Sequence, residues 1–156
     1  MKTGFTFTEL IVVIGILAGL FAFTINNLAR PQLSASLNSS ASQLLADLKS
    51  QQLKAMSGDS EDAGAVLPHS IYIENTSYVL FRGSIYVPSD SSNFTVSLDP
   101  ALSLSTSFSG SVIVFLAGSG EISGFTPGSN TLTLTHGQSS DSNIIQLNRY
   151  GVVSSY

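Results

Sequence analysis

The feature that most constrains this chain is a run without charge near its N-terminus. From Leu10 to Ala29 no residue is ionisable, and Leu10 to Ile25 reads LIVVIGILAGLFAFTI, with Phe5 and Phe7 in front. That extent approaches the ~20 residues a helix needs to cross a bilayer. Lys2 precedes the run, and Arg30 is the first charge after Glu9. The positive-inside rule then places the N-terminus in the cytoplasm. A secretory signal or a plain membrane anchor is the ordinary interpretation. Glu9 suits neither, because an unpaired carboxylate is costly where hydrocarbon begins. No convincing A-x-A cleavage site follows, Ala22-Phe23-Thr24 being the nearest.

The string around that carboxylate is Lys2-Thr3-Gly4-Phe5-Thr6-Phe7-Thr8-Glu9-Leu10. It resembles the class III signal of type IV pilins and type II secretion pseudopilins. In that family a short basic leader ends in Gly, Phe usually opens the mature chain, and Glu stands fifth in it before a long hydrophobic helix. The resemblance implies a leader at 1–4, cleavage by prepilin peptidase between Gly4 and Phe5, and N-methylation of Phe5. It assigns filament assembly to Glu9. Physically, the new amine and this carboxylate become the two charges in an apolar bundle, and pairing across neighbouring subunits offsets their desolvation. Gly15 and Gly19 have the G-x-x-x-G spacing that permits close helix contact. Tolerated glycines and a locally weakened helix are the alternatives. The proline that often interrupts a pilin stem is missing near Asn26-Asn27, and the break is expected at Arg30-Pro31.

Beyond that point, Leu33, Leu37, Ala41, Leu44, Leu48 and Ala55 recur at three- and four-residue spacing, widened by Leu45, Leu53 and Met56. Ser39, Ser40, Asp47, Lys49 and Gln51 fill much of the other face. A helix from about Gln32 to Ser57 is expected, with Gly58 as its C-cap.

After Pro68 the pattern turns to β-structure. Ile71–Ile73 and Tyr78–Phe81 flank a hairpin signature at Asn75-Thr76-Ser77. Ile85-Tyr86-Val87, Phe94–Leu98, Leu102–Leu104, Val112–Leu116, Glu121-Ile122, Thr131–Thr135, Ile144–Leu147 and Val152-Val153 continue the pattern, and about eight strands at close spacing are expected from these segments. The closing Ile145-x-Leu147-x-x-x-Gly151-x-Val153, with Val114-Phe115 and Gly120, looks like the C-terminal half of the GspH/FimT class of minor pilins and pseudopilins. The expected fold class is therefore α+β, a pilin fold. A long hydrophobic N-terminal α-helical stem (5–57, transmembrane or filament core about 5–29) packs on an antiparallel β-sheet head (58–156).

The remaining chemistry is sparse. Charged residues are 10% of the chain against a usual share of roughly 25%. Six Lys and Arg against ten Asp and Glu give a formal charge of −4. With Arg149 the sole Lys or Arg after Arg82, these numbers argue against DNA as a partner. The chain has no cysteine, which excludes disulfides and thiolate chemistry. His69 and His136 read as surface histidines, with no H-E-x-x-H, G-x-S-x-G or P-loop nearby. Gly118-Ser119-Gly120-Glu121-Ile122-Ser123-Gly124 reads as a turn, and Asp59-Ser60-Glu61-Asp62 as a solvated loop. Asp141 is the only acidic residue after Glu121, too few for a calcium loop. No enzyme, cofactor or metal is expected.

The resemblance implies a structural minor pilin or pseudopilin in a type IV pilus or a type II secretion pseudopilus, acting in initiation or at the tip. Alternatives are the major filament subunit, or a membrane-anchored β-domain outside such machinery. Expected partners are other pilin or pseudopilin subunits through the N-terminal helix, prepilin peptidase, the inner-membrane assembly platform, and the membrane before assembly. The expected location is the inner membrane, single-pass, with a periplasmic or extracellular head.

Overall fold

The structure, a computed structural model, describes residues 6–58 and 66–155, with side chains given except at 22–33 and 155. The chain divides into two compact units, Met1–Ala35 and Ser36–Tyr156. Helix α1 is assigned Phe7–Ser57, without interruption at Arg30-Pro31. It ends at Gly58, whose φ of +68° is the left-handed conformation that closes a helix.

In the second unit, eight strands follow: β1 (His69–Ile73), β2 (Ser77–Arg82), β3 (Phe94–Ser97), β4 (Leu102–Thr106), β5 (Val112–Phe115), β6 (Thr131–His136), β7 (Ser142–Leu147) and β8 (Val153–Ser155). They form two antiparallel sheets ordered β3-β2-β1-β5 and β4-β6-β7-β8. Ile71 is the hinge of the first register, opposite Leu80 on one side and Ile113 on the other. In the second sheet Leu134 faces Leu104, and Leu132 faces Ile145. β6 shows why: its Leu residues alternate with Thr, so one face buries Leu132, Leu134 and His136 while the threonines stay half-buried.

The helix contributes Leu37, Ala41, Leu44, Leu48 and Ala55, all buried in one core with residues of both sheets. Gln51 lies on the same stripe and is buried as well, while Leu53 and Met56 remain exposed. The stripe is thus narrower than the apolar pattern suggested. Asp47, at the edge of the stripe, accepts a hydrogen bond from the buried Tyr78 phenol. Burial first, then that bond and the Asp47 charge, push the phenol well above its ordinary pKa.

The expected pilin fold, a long hydrophobic stem on an antiparallel β-sheet head, is corrected by these observations. The strands make two four-stranded sheets, and the packed part of the chain is mostly β. Among the described residues no helix is long and apolar enough to cross a membrane. From Ser34 onward Ser, Asn, Gln, Asp and Lys interleave with the leucines, and α1 there is amphipathic rather than uniformly apolar. The expected transmembrane helix and single-pass inner-membrane location are corrected with it.

Two expected strands are also absent. Ile85-Tyr86-Val87 is a bend. Tyr86 is drawn out of line to stack on Tyr72, with centroids 4.3 Å apart and planes 14° apart, and it tilts against Phe81. Glu121-Ile122 makes only an isolated bridge, Ile122 to Phe115.

The turn before β8 is held from three sides. Asn148 Oδ1 accepts from the amides of Tyr150 (2.9 Å) and Val152 (3.0 Å). Gln52 Nε2 donates to the carbonyls of Gly120 (3.0 Å) and Tyr150 (2.6 Å). Gly151 sits at φ +67°, and a Cβ there would lie 2.6 Å from Gln52 Nε2 and 3.0 Å from the Phe115 ring. Gly151→Ala should therefore cost roughly 1–3 kcal/mol through combined strain and displacement of the Gln52 clasp. Urea unfolding of the full chain measures it, and a midpoint equal to wild type would contradict the packing described.

Candidate functional site at the start of helix α1

Thr6 is the last residue before α1, and its carbonyl accepts the first helical bond, from the Leu10 amide at 3.2 Å. That makes Thr6 the N-cap and Glu9 the third helical residue. The Glu9 amide donates to Thr6 Oγ1 at 3.3 Å. In return Glu9 Oε2 accepts from the Thr6 amide at 3.0 Å and from the Thr6 hydroxyl at 2.9 Å. The two residues form a reciprocal capping box. The Thr6 amide, then the Thr6 hydroxyl, hold the exposed Glu9 carboxyl below its ordinary pKa. The helix N-terminus favours the same ionised form. Glu9 thus has a local partner in Thr6. The signal that finds this one is a Thr three residues before a Glu at the head of an apolar run.

Around this carboxylate the described side chains are apolar and open. Leu10, Ile11, Val12, Val13 and Ile14 are all exposed. Five consecutive residues sweep a full helical circuit, so this part of α1 has no inward face. Ile16, Leu17, Leu20 and Phe21 continue the pattern. Thr8, Glu9, Val12 and Val13 line an open groove of about 300 Å³. Among the described residues, a Cβ on Gly15 or Gly19 would meet nothing within 4 Å, so no contact among them requires glycine at either position.

Gly4 and Phe5, the expected cleavage and methylation residues, lie outside the described residues, as does Asp59–Asp62. Both histidines differ from expectation. His69, 7% exposed, opens β1 and lines a cleft of about 280 Å³ with Gln51, Lys54 and Arg82. His136, 1% exposed, ends β6, and its Nδ1 accepts from the amides of Gln138 (3.2 Å) and Ser139 (3.4 Å). It is buried because it organises the turn from inside. Gly118 (φ +80°), Gly120 (+67°) and Gly124 (+62°) do form turns. Arg149 pairs with Glu121 at 3.0 Å. Among the described residues no group of three His, Cys, Asp or Glu is placed to hold a metal.

No family model, curated protein or solved structure matches the chain.

Removing the Thr6 hydroxyl tests the capping box. In Thr6→Val the carboxyl loses its second donor and keeps the backbone one. Its pKa should rise part of the way toward the ordinary glutamate value, read by NMR titration of the Glu9 side-chain carbonyl. Because the folded-state pKa is lowered, this contribution to α1 is present above the unfolded-state value and fades as pH falls through the folded one.

Proposed function

We propose that this protein is a structural subunit of the minor pilin or pseudopilin kind, cut after Gly4 by prepilin peptidase and assembled into a filament through the start of α1. The reading rests on the leader string and on one observation above all: an ionised carboxylate heads a helix whose first turns expose apolar side chains all round. Each exposed aliphatic side chain forgoes about 1.5–3 kcal/mol of burial. Packing against the same segment of other subunits recovers that burial without asking any one helix to have a polar back. The carboxylate then needs a cation at the same depth, and the amine freed on Phe5 is the one the processing step supplies. Thr6 occupies Glu9 until that amine arrives. The GspH/FimT-like pattern of β5 to β8 favours an initiating or tip position. Helical packing partners, the peptidase and the assembly platform are the partners this role requires.

The decisive measurement is mass spectrometry of the N-terminus of protein recovered from its native cell. A chain beginning at N-methylated Phe5 is expected, and an intact Met1 would overturn the proposal. Glu9→Ala should be processed normally and enter filaments poorly. Wild-type incorporation of that variant would remove the pairing role.

A further inference from the structure

Helix period and strand alternation assign certain positions to the core, and at one place three of them hold polar side chains. On α1 the buried stripe runs Leu44, Leu48, Gln51, Ala55. On β1 alternate residues share a face, so His69 lies on the side of Ile71 and Ile73, both in the core. The register sets Ile73 opposite Tyr78, Ile71 opposite Leu80 and His69 opposite Arg82, which carries the same face across β2. At the His69 end this face changes from apolar to polar side chains. There Gln51, His69 and Arg82 line a cleft of about 280 Å³, together with Lys54, which follows Gln51 on the same side of α1.

Two of these groups are more than nine-tenths buried, Gln51 being 4% exposed and His69 7%. Gln51 Oε1 is buried and meets no hydrogen-bond donor, and a buried acceptor left unmet is a standing cost. Charge is concentrated here as well. The chain has six Lys and Arg against ten Asp and Glu. Two of the six line this cleft, and among the described residues no carboxylate does. Leu80, Phe81 and Phe94 make most of the remaining wall apolar, and Phe94 is 65% exposed. Ser92 also lines the cleft, but its amide and hydroxyl are both given to Asp90, at 2.9 and 2.8 Å.

We propose that this cleft binds the C-terminal residue of a partner polypeptide whose last side chain is apolar. The carboxylate lies against Lys54 and Arg82, and a guanidinium can hold both of its oxygens at once. The amide N–H of the same residue donates to Gln51 Oε1, and its side chain packs on Leu80 and Phe94. The wall asks for an anion, a donor and an apolar body, and one terminal residue carries all three within a few bonds. An internal peptide segment brings no carboxylate, and an inorganic anion leaves the aromatic wall wet. The cleft is just smaller than the roughly 300–1,000 Å³ of small-molecule sites, which gives room for one residue rather than a chain. Capture of a terminal carboxylate is a recurring mode of peptide recognition. The cleft belongs wholly to the second unit, Ser36–Tyr156. It is independent of Glu9 and stands whether or not the chain enters a filament.

The probe is N-acetyl-L-phenylalanine, added to the full chain in detergent micelles and followed by NMR at the Gln51 side-chain amide and the His69 ring. A saturating shift at both is expected. N-acetyl-L-phenylalaninamide lacks the charge and 3-phenylpropanoate lacks the N–H, and each should bind about tenfold more weakly. Gln51→Leu keeps the bulk and removes the acceptor, and it should weaken the parent probe by about the same factor, read at His69. Lys54→Glu, at an exposed position, should abolish binding. Far-UV circular dichroism shows which variants are folded, and if Gln51→Leu is not, Lys54→Glu decides. The proposal is overturned if no saturable shift appears, if either truncated probe binds as well as the parent, or if a folded variant keeps the wild-type affinity. It is also overturned if the probe binds only when Asp59→Asn, Glu61→Gln and Asp62→Asn are combined, which would give the cleft to the chain's own carboxylates.

Discussion

Both sheets need the same strip of helix. Each has one apolar face, and neither closes into a barrel, so each must find cover elsewhere. Leu37, Ala41, Leu44, Leu48 and Ala55 supply that cover at alternating four- and three-residue steps, in one core with Ile71, Ile113, Leu132, Leu134 and Ile145. Two of the five are alanines, Ala41 and Ala55, and both are fully buried. Gln51 takes the place that the period reserves for an apolar residue. Its cost is not recovered among the described residues, for its Oε1 is buried with no hydrogen-bond partner.

Much of this was legible in the residues, and the failures have definite causes. Alternation picked out β6 because Leu and Thr differ sharply in burial preference, and the Asn75-Thr76 turn marked the β1–β2 hairpin. Alternation says which face of a strand is apolar but not which strand lies beside it. One sheet and two sheets therefore look the same from sequence. Ile85-Tyr86-Val87 has the composition of a strand, yet the stacking of Tyr86 on Tyr72 outweighs a fourth ladder for so short a run. The histidines looked exposed because each borders a turn or a proline. His136 is buried because its ring accepts bonds from the turn that follows, a tertiary fact with no periodic trace.

At the N-terminal end the reverse holds. Thr6 and Glu9 announce their contact by spacing alone, and the exposed carboxylate proves to be satisfied locally. A hydroxyl and a single backbone amide together hold that charge within one turn of helix.

The clasp made by Gln52 has its own consequence. One side-chain amide ties turns near residues 120 and 150 to the helix, a task small secreted domains often give to a covalent crosslink. Hydrogen bonds form as fast as the surrounding structure does and ask for no oxidant or isomerase. With no cysteine in the chain, a reductant has nothing in the head to cut.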